Sequence, residues 1–336
     1  MDSITHLALG ACMGEAFAGK KLGKKAMLWG AMAQSVADID FVSSLWMNTP
    51  SALLAHRGFT HSFLFCIVIT PLLALLAERW HRPHNIRLQR WMLFFGGVIF
   101  IHIFIDAFNN YGVGWFEPFS HTRISFNAIY VADPFFSVFP GIACIVLLLL
   151  KRKSARRKTW WRIGLFMPAL YMGFCLFNKS LIDRDVKTIL QEQQIPYTRY
   201  FTTPAPLQNW LWFVVAGNDS GYYTGYRSLS DSKKEIDFHY FPRNDSLLSS
   251  LNNNEEVQQL IRFSKQFYTV EKWNDTLVFN DLRFGQVIGW ENPDGHFAFH
   301  YFLQHPDDNK MVVQRGRFTG WNGRVFRNYI KRIRGN

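Results

Sequence analysis

Long apolar runs fill the first half of the chain and are missing from the second. Six segments, about 4–19, 26–47, 59–78, 91–109, 134–150 and 162–178, are apolar enough to read as helices, with charged or turn-forming residues between them. A membrane span needs roughly 20 apolar residues, with about 17 as a lower limit. The last four segments meet or approach that length, Pro134 to Leu150 most cleanly. Glu15 interrupts the first, and Asp38 and Asp40 interrupt the second. Such positions are tolerated where protein, not lipid, surrounds them. The pattern predicts an all-α, multi-pass membrane bundle of about six helices over residues 1–180.

From about residue 181 to 336 the pattern changes to short stretches rich in aromatic and β-branched residues. Trp210–Val215, Tyr222–Leu229, Glu235–Phe241, Leu277–Phe279, Gln286–Trp290 and His296–Leu303 read as strands. Asn292-Pro293-Asp294-Gly295 is a turn, since Pro fixes φ and Gly accepts a positive one. Apolar residues at helical spacing in Glu255–Tyr268 predict one helix packed on the sheet. Ser246–Glu255 is the nearest approach to a low-complexity loop. The expectation is a β-rich α+β soluble domain carrying no internal repeat.

Composition adds an orientation. The mean hydropathy is near neutral, an average over two unlike halves. The formal charge is +12, from 37 Lys and Arg against 25 Asp and Glu. Within the first half the densest basic clusters, Lys20–Lys25, Arg79–Arg90 and Lys151–Arg162, each adjoin an apolar run. That is the arrangement of cytoplasmic anchors, so nucleic acid is not the expected partner. With those loops inside, the N-terminus, the loops around 48–58 and 110–133, and the C-terminal domain all fall outside the cytoplasmic membrane. No cleavable signal peptide is evident, because Met1-Asp2-Ser3 lacks a basic start. Cys12, Cys66, Cys144 and Cys175 lie in apolar runs without metal or disulfide spacing.

The candidate chemistry lies in the costly polar residues of the first half. His102 and Asp106, four apart, share one helix face, and so do Asp2 and His6. His56 and His61 are five apart, about 140° on a continuous helix at 3.6 residues per turn. They converge only if His56 sits in the preceding loop, with Gly58 permitting the sharp entry and Thr60 capping the helix. Asp38 and Asp40 diverge on a helix, so one would bind while the other supports it. Under the charge-derived topology, His6, Asp38, Asp40, His56, His61, His102 and Asp106 all lie at the same membrane depth. Imidazole and carboxylate are ligands that first-row divalent metals accept, zinc first and manganese next. Plainer roles compete: Asp38 in helix packing, Asp2 as a helix-dipole acid. His81 and His84 read as interfacial residues.

Thr5-His6 with the small-residue helix LALGACMGEAF, then Ala37-Asp38-Ile39-Asp40, HRGFTHS at 56–62, and IHIFIDAFNNYG at 101–112 together resemble the YdjM-like family of bacterial inner-membrane metal-dependent hydrolases, also described as LexA-binding hydrolases. The likeness covers about residues 1–180. His102-x-x-x-Asp106 is also similar, more distantly, to a ligand pair of the zinc-dependent phospholipase C and P1 nuclease superfamily. The resemblance implies a hydrolase (EC 3) of undefined substrate. The expected reaction is metal-assisted hydrolysis of a phosphoester or other ester at the outer face, with a lipid-derived or anionic substrate. Asp40 is the expected proton acceptor and Arg57 the expected anion binder, with Arg123 a second candidate. Two alternatives stay open: a non-catalytic metal transporter or sensor, and a membrane-anchored interaction module.

Overall fold

The fold comes from a computed structural model that describes residues 1–81, 86–251, 254–305, 309 and 318–335. Residues 82–85 of the Arg79–Arg90 stretch, His84 among them, and 252–253 of the Ser246–Glu255 loop lie outside the described residues. The chain forms two compact units: residues 1–43 with 55–175, and residues 44–54 with 176–336.

The first unit is helical. Helix α1 (Ser3–Leu22) begins where the Asp2 carboxylate accepts from the Thr5 amide at 2.9 Å, the capping role expected of an acid there. Helix α2 (Lys24–Ser35) lies against it with glycine at the crossing. A β-carbon on Gly10 would collide with the Gly30 carbonyl, and one on Gly14 with that of Ala26, so only glycine allows the two backbones to meet. Glu15 is buried against Arg157, which reaches it with two hydrogen bonds of 2.7 and 2.6 Å.

The single helix expected over 26–47 is not formed. It stops at Ser35 and becomes a 3-10 turn over Ala37–Leu45, followed by α3 (Thr49–Ala55). Aspartate side chains compete with the helical backbone for hydrogen bonds, and two of them in three residues favour the break. A second 3-10 turn, Phe59–His61, leads into α4 (Phe63–Trp80). The cap of α4 is Ser62, which accepts from the Phe65 amide at 3.0 Å, and not Thr60. The left-handed residue of the HRG turn is Arg57, at φ +60°, and not Gly58. Helices α5 (Leu88–Asp106), α6 (Pro134–Leu149) and α7 (Arg156–Glu192) follow.

Among the described residues, α4, α5 and α7 are long and apolar enough to cross a membrane, and α6 is a shorter apolar helix. Six spans are therefore not reached by these criteria. The loop between α5 and α6 folds back on the HRG turn. The Gly114 amide donates to the Arg57 carbonyl at 2.8 Å, and Arg123 donates to the carbonyls of His56 and Gly112, each at 2.9 Å.

The second unit holds two antiparallel sheets. Strands β1 (Arg199–Pro204), β2 (Leu211–Gly217), β3 (Gly221–Ser228) and β4 (His239–Pro242) form one, in that order. Strands β5 (Tyr268–Trp273), β6 (Thr276–Asp281) and β7 (His300–Phe302) form the other. Central β2 is buried on both faces. Trp212, Val214 and Ala216 meet Ile182, Val186, Ile189 and Leu190 of α7, while Phe213 and Val215 meet Phe201, Tyr222 and Phe297.

Helix α8 (Glu255–Phe263) is shorter than the predicted Glu255–Tyr268, because Tyr268 opens β5. Asn48 and Ser51 bind Glu256 and Gln259 of α8 at 2.9 and 3.0 Å, which ties segment 44–54 to this unit. The stretch Gln286–Trp290 is a turn after an isolated bridge from Gln286 to Phe297, not a strand. Strands β1 and β5 and a C-terminal helix, Gly323–Ile333, were not anticipated.

Candidate metal centre

Four of the seven expected ligands meet. Asp38 arrives from the first 3-10 turn, His61 from the second, and His102 and Asp106 from the last turns of α5. The four-residue spacing in α5 puts the latter two one above the other. One atom from each residue lies within 4.8 Å of every other. His61 Nε2 is 3.2 Å from His102 Nε2, 3.6 Å from Asp38 Oδ1 and 3.4 Å from Asp106 Oδ2. His102 Nε2 is 3.6 Å from Asp38 Oδ1 and 3.8 Å from Asp106 Oδ2.

A tetrahedral zinc with bonds of about 2.0–2.1 Å separates its ligand atoms by roughly 3.3–3.4 Å. The five separations above span 3.2–3.8 Å, close to that spacing. Two imidazole nitrogens and two carboxylate oxygens facing one point repel unless a proton or a cation lies between them. Asp106 Oδ2 is buried and makes no hydrogen bond. Arg57 Nε and His61 Nε2 lie 3.2 and 3.4 Å from it without hydrogen-bond geometry, which leaves this oxygen able to accept a cation. The donor set therefore fits a divalent metal.

The other three expected ligands face elsewhere. Asp40 sits behind His61. Its Oδ2 is 3.2 Å from His61 Nδ1 and accepts from the Arg57 amide at 2.8 Å and from the Thr60 hydroxyl at 2.7 Å. Its Oδ1 is 2.8 Å from His56 Nδ1. A carboxylate behind an imidazole orients the ring and makes it a better ligand. His56 is 37% exposed, the most open imidazole of the group. His6 packs its ring on His102, with Nε2 3.1 Å from Asp106 Oδ1 and Nδ1 3.3 Å from the amide of Gln34. The Met1 amino group also pairs with Asp106. His81, outside the group, accepts from Trp29 Nε1 at 2.8 Å.

Electrostatics follow from this crowding. Burial alone would raise the Asp38 and Asp40 carboxyls, but the imidazoles around them, His102 and His61 for Asp38 and His56 and His61 for Asp40, hold both well below the usual carboxylate range. Burial would lower His61, yet Asp106, Asp38 and Asp40 outweigh it and raise its pKa to about 10. Burial lowers His56 despite Asp40, which favours its neutral ring.

Arg57 completes the site. Its side chain is buried, with Nε 3.2 Å from Asp106 Oδ2 and Nη2 donating to the Met1 carbonyl at 3.1 Å. Nη1 has no hydrogen-bond partner. The guanidinium lies 5.3 Å from the centre of the Tyr111 ring. Arg123 is 8% exposed and spends its donors on the backbone of the turn, so it shapes the site from outside. Sequence reasoning missed Gln34, although a lone glutamine in an apolar helix could have signalled it. The strained φ of Arg57 and the role of Thr60 left no such signal.

The model of the YdjM inner membrane protein family matches residues 1–182, which include every residue of this site. The uncharacterized protein YfhP of Bacillus subtilis (strain 168) is 24% identical, over 96% of this chain and 95% of its own length. The inner membrane protein YbcI of Escherichia coli (strain K12) is 31% identical over 122 residues, 36% of this chain and 69% of its own. No solved structure matches the chain.

Proposed function

Taking the chain as what it is, a member of the YdjM inner membrane protein family, we propose that it is a multi-pass, metal-dependent hydrolase of phosphoesters or other esters, working at the outer face of the cytoplasmic membrane. One observation carries the reading: a four-atom cage of Asp38, His61, His102 and Asp106 lies beside a buried guanidinium with a donor to spare. A divalent ion there, zinc or manganese, would supply a Lewis acid and a water of lowered pKa.

The chain's own residues supply the rest. Arg57 Nη1 binds an anionic oxygen of the substrate, and its aim is fixed by Asp106 and the Tyr111 face. Asp40, the expected proton acceptor, has both oxygens engaged, so it orients His56 and His61. His56 is the better proton carrier, because Asp40 holds its Nδ1 and its ring is partly open to water. His6 steadies the second oxygen of Asp106.

The orientation rests on the basic loops. Arg152 donates to the Lys20 carbonyl at 2.9 Å, so the 20–25 and 151–153 stretches are adjacent, as loops on one side of a membrane should be. The positive-inside rule puts that side in the cytoplasm. With the shorter apolar α6 crossing as well as α4, α5 and α7, the Arg79–Arg90 and Lys151–Arg162 loops share the cytoplasmic side and the domain after α7 lies on the opposite one.

A second reading is favoured by the count of ligands. Four protein donors fill a tetrahedral zinc site, as in non-catalytic centres, whereas hydrolytic zinc keeps a position open. Manganese, which takes six ligands, or zinc expanded to five, would leave room for water. The deciding experiment is elemental analysis of detergent-purified protein, followed by a phosphoester panel on wild type and His61→Ala. A stoichiometric metal with turnover that the substitution abolishes is the expected result. Metal without turnover of any ester favours the transporter or sensor, and protein purified without metal removes the proposal.

A further inference from the structure

The C-terminal domain is not evenly charged. Residues 181–308 carry 11 Lys and Arg against 17 Asp and Glu, while residues 309–336 carry eight Lys and Arg and no acid. Four of those eight lie on one face of the helix Gly323–Ile333 and its cap. Arg324, Arg327, Lys331 and Arg334 follow at intervals of three, four and three residues, which confines them to an arc of about 80° at 3.6 residues per turn. All four are exposed. Their row extends about 15 Å at a rise of 1.5 Å per residue.

The opposite face fixes the helix in place. Val325 and Tyr329 are buried, and the Tyr329 hydroxyl donates to the Pro206 carbonyl at 2.6 Å. Arg332, on the flank, pairs with Asp231 at 2.7 Å and takes no part in the row. Arg324 has a loose partner in Glu291 at 3.7 Å. Arg327, Lys331 and Arg334 make no ion pair among the described residues. Phe326, on the flank of the same helix, is 51% exposed, and Phe318 just before the helix is 46% exposed and packs on Trp321.

We propose that this row docks on the anionic lipid headgroups of the membrane that anchors the chain. A line of fixed cations opposite a buried face recognises a surface carrying many negative charges, not a single anion. The bilayer crossed by α4, α5 and α7 is such a surface, and tethering keeps it within reach. Exposed phenylalanines beside cations suit the boundary between headgroups and acyl chains. Each cation near an anionic surface is worth roughly a fivefold gain in the docked population.

The test uses the full-length protein in nanodiscs, with a fluorophore on a cysteine introduced at Asn328 and a quencher on the lipid headgroups. Discs of phosphatidylcholine alone are compared with discs containing phosphatidylglycerol, at low and high salt. Quenching that rises with phosphatidylglycerol and is lost at high salt is the expected outcome. Arg327→Gln with Lys331→Gln should cut the docked-to-free ratio roughly 25-fold. Quenching indifferent to lipid charge overturns the proposal, and so does quenching that the double variant leaves unchanged. So would protection of the label by added nucleic acid in place of lipid.

Discussion

Two buried arginine–carboxylate pairs lie in the helical unit, and they are built differently. Arg157 uses every nitrogen: two bonds to Glu15, two more from Nη1 to the carbonyls of Leu147 and Leu150 at 2.7 and 2.9 Å, and a contact with Met27 sulfur. Arg57 leaves Nη1 without a partner, and Asp106 beside it leaves Oδ2 without a hydrogen bond. Arg57 also adopts a left-handed backbone, a cost on the order of 1–3 kcal/mol for a residue other than glycine. A buried charge that serves packing is saturated by its neighbours. The unpaired Nη1 of Arg57, on a strained backbone, is what the proposed contact with an anionic substrate requires.

Substitution at the cage separates the two most sharply. His61→Ala or Asp106→Ala should reduce bound metal from stoichiometric to less than about one-tenth by elemental analysis, since each removes one of four donors and leaves the remainder misaligned. At the saturated pair the expected loss is of stability. Glu15→Ala strands a buried guanidinium and should cost about 3–5 kcal/mol in a detergent unfolding assay, with metal content unchanged. If that variant also lost its metal, the two pairs would be one cooperative element and the contrast would fail.

Arg57→Gln should retain metal and lose roughly 10²-fold in kcat/KM on an anionic ester, the usual scale for one preorganised donor. Equal loss on a neutral ester would mean the guanidinium holds the fold and not the substrate. Asp40→Asn should weaken metal affinity by about 10- to 100-fold, because it removes the carboxylate behind His61. An unchanged affinity by competition with a chelating dye would reduce Asp40 to a brace for the turn.

What the sequence made legible follows from the range of each interaction. His102 and Asp106 were readable because four residues of helix fix their relation, and HRGFTHS because its spacing forces a turn. Asp38 and Asp40 were readable as candidates, but which one enters the cage depends on a break after Ser35 that apolar periodicity conceals. The free nitrogen of Arg57 depends on residues from four parts of the chain, and no local pattern encodes it. In the sheets, β2, β3 and β6 stood out as aromatic and β-branched stretches, and the expected strands at 235–241 and 296–303 overlap β4 and β7. Strand β1 ends in Pro204, and β5 carries Glu271 and Lys272, so pairing with β2 and β6 defines them more than composition does. Gln286–Trp290 has strand-like residues, yet Ile288 takes φ +56° and the chain turns.

Asp133 gives the most exact probe of the contrast, a buried carboxylate held by neutral donors. It caps α6, with Oδ1 accepting from the amides of Phe135 and Phe136 and Oδ2 from the Tyr171 hydroxyl at 2.9 Å. Burial pushes its pKa up to about 6, against the lowering effect of those three donors. The folded chain therefore holds this proton more tightly than the unfolded one, whose carboxyl titrates near 3.8. The group's contribution is most favourable below the unfolded pKa and is lost as pH rises through about 6. Asparagine retains the capping oxygen at little cost and cannot ionise. Asp133→Asn should thus match wild type within about 1 kcal/mol near pH 4 and exceed it by on the order of 2–3 kcal/mol at pH 7. Thermal melts in detergent at the two pH values decide it. Wild-type and variant curves that stay parallel across that range would mean the carboxylate is as well compensated as Glu15, and the distinction between saturated and unsaturated buried acids would hold only at the metal centre.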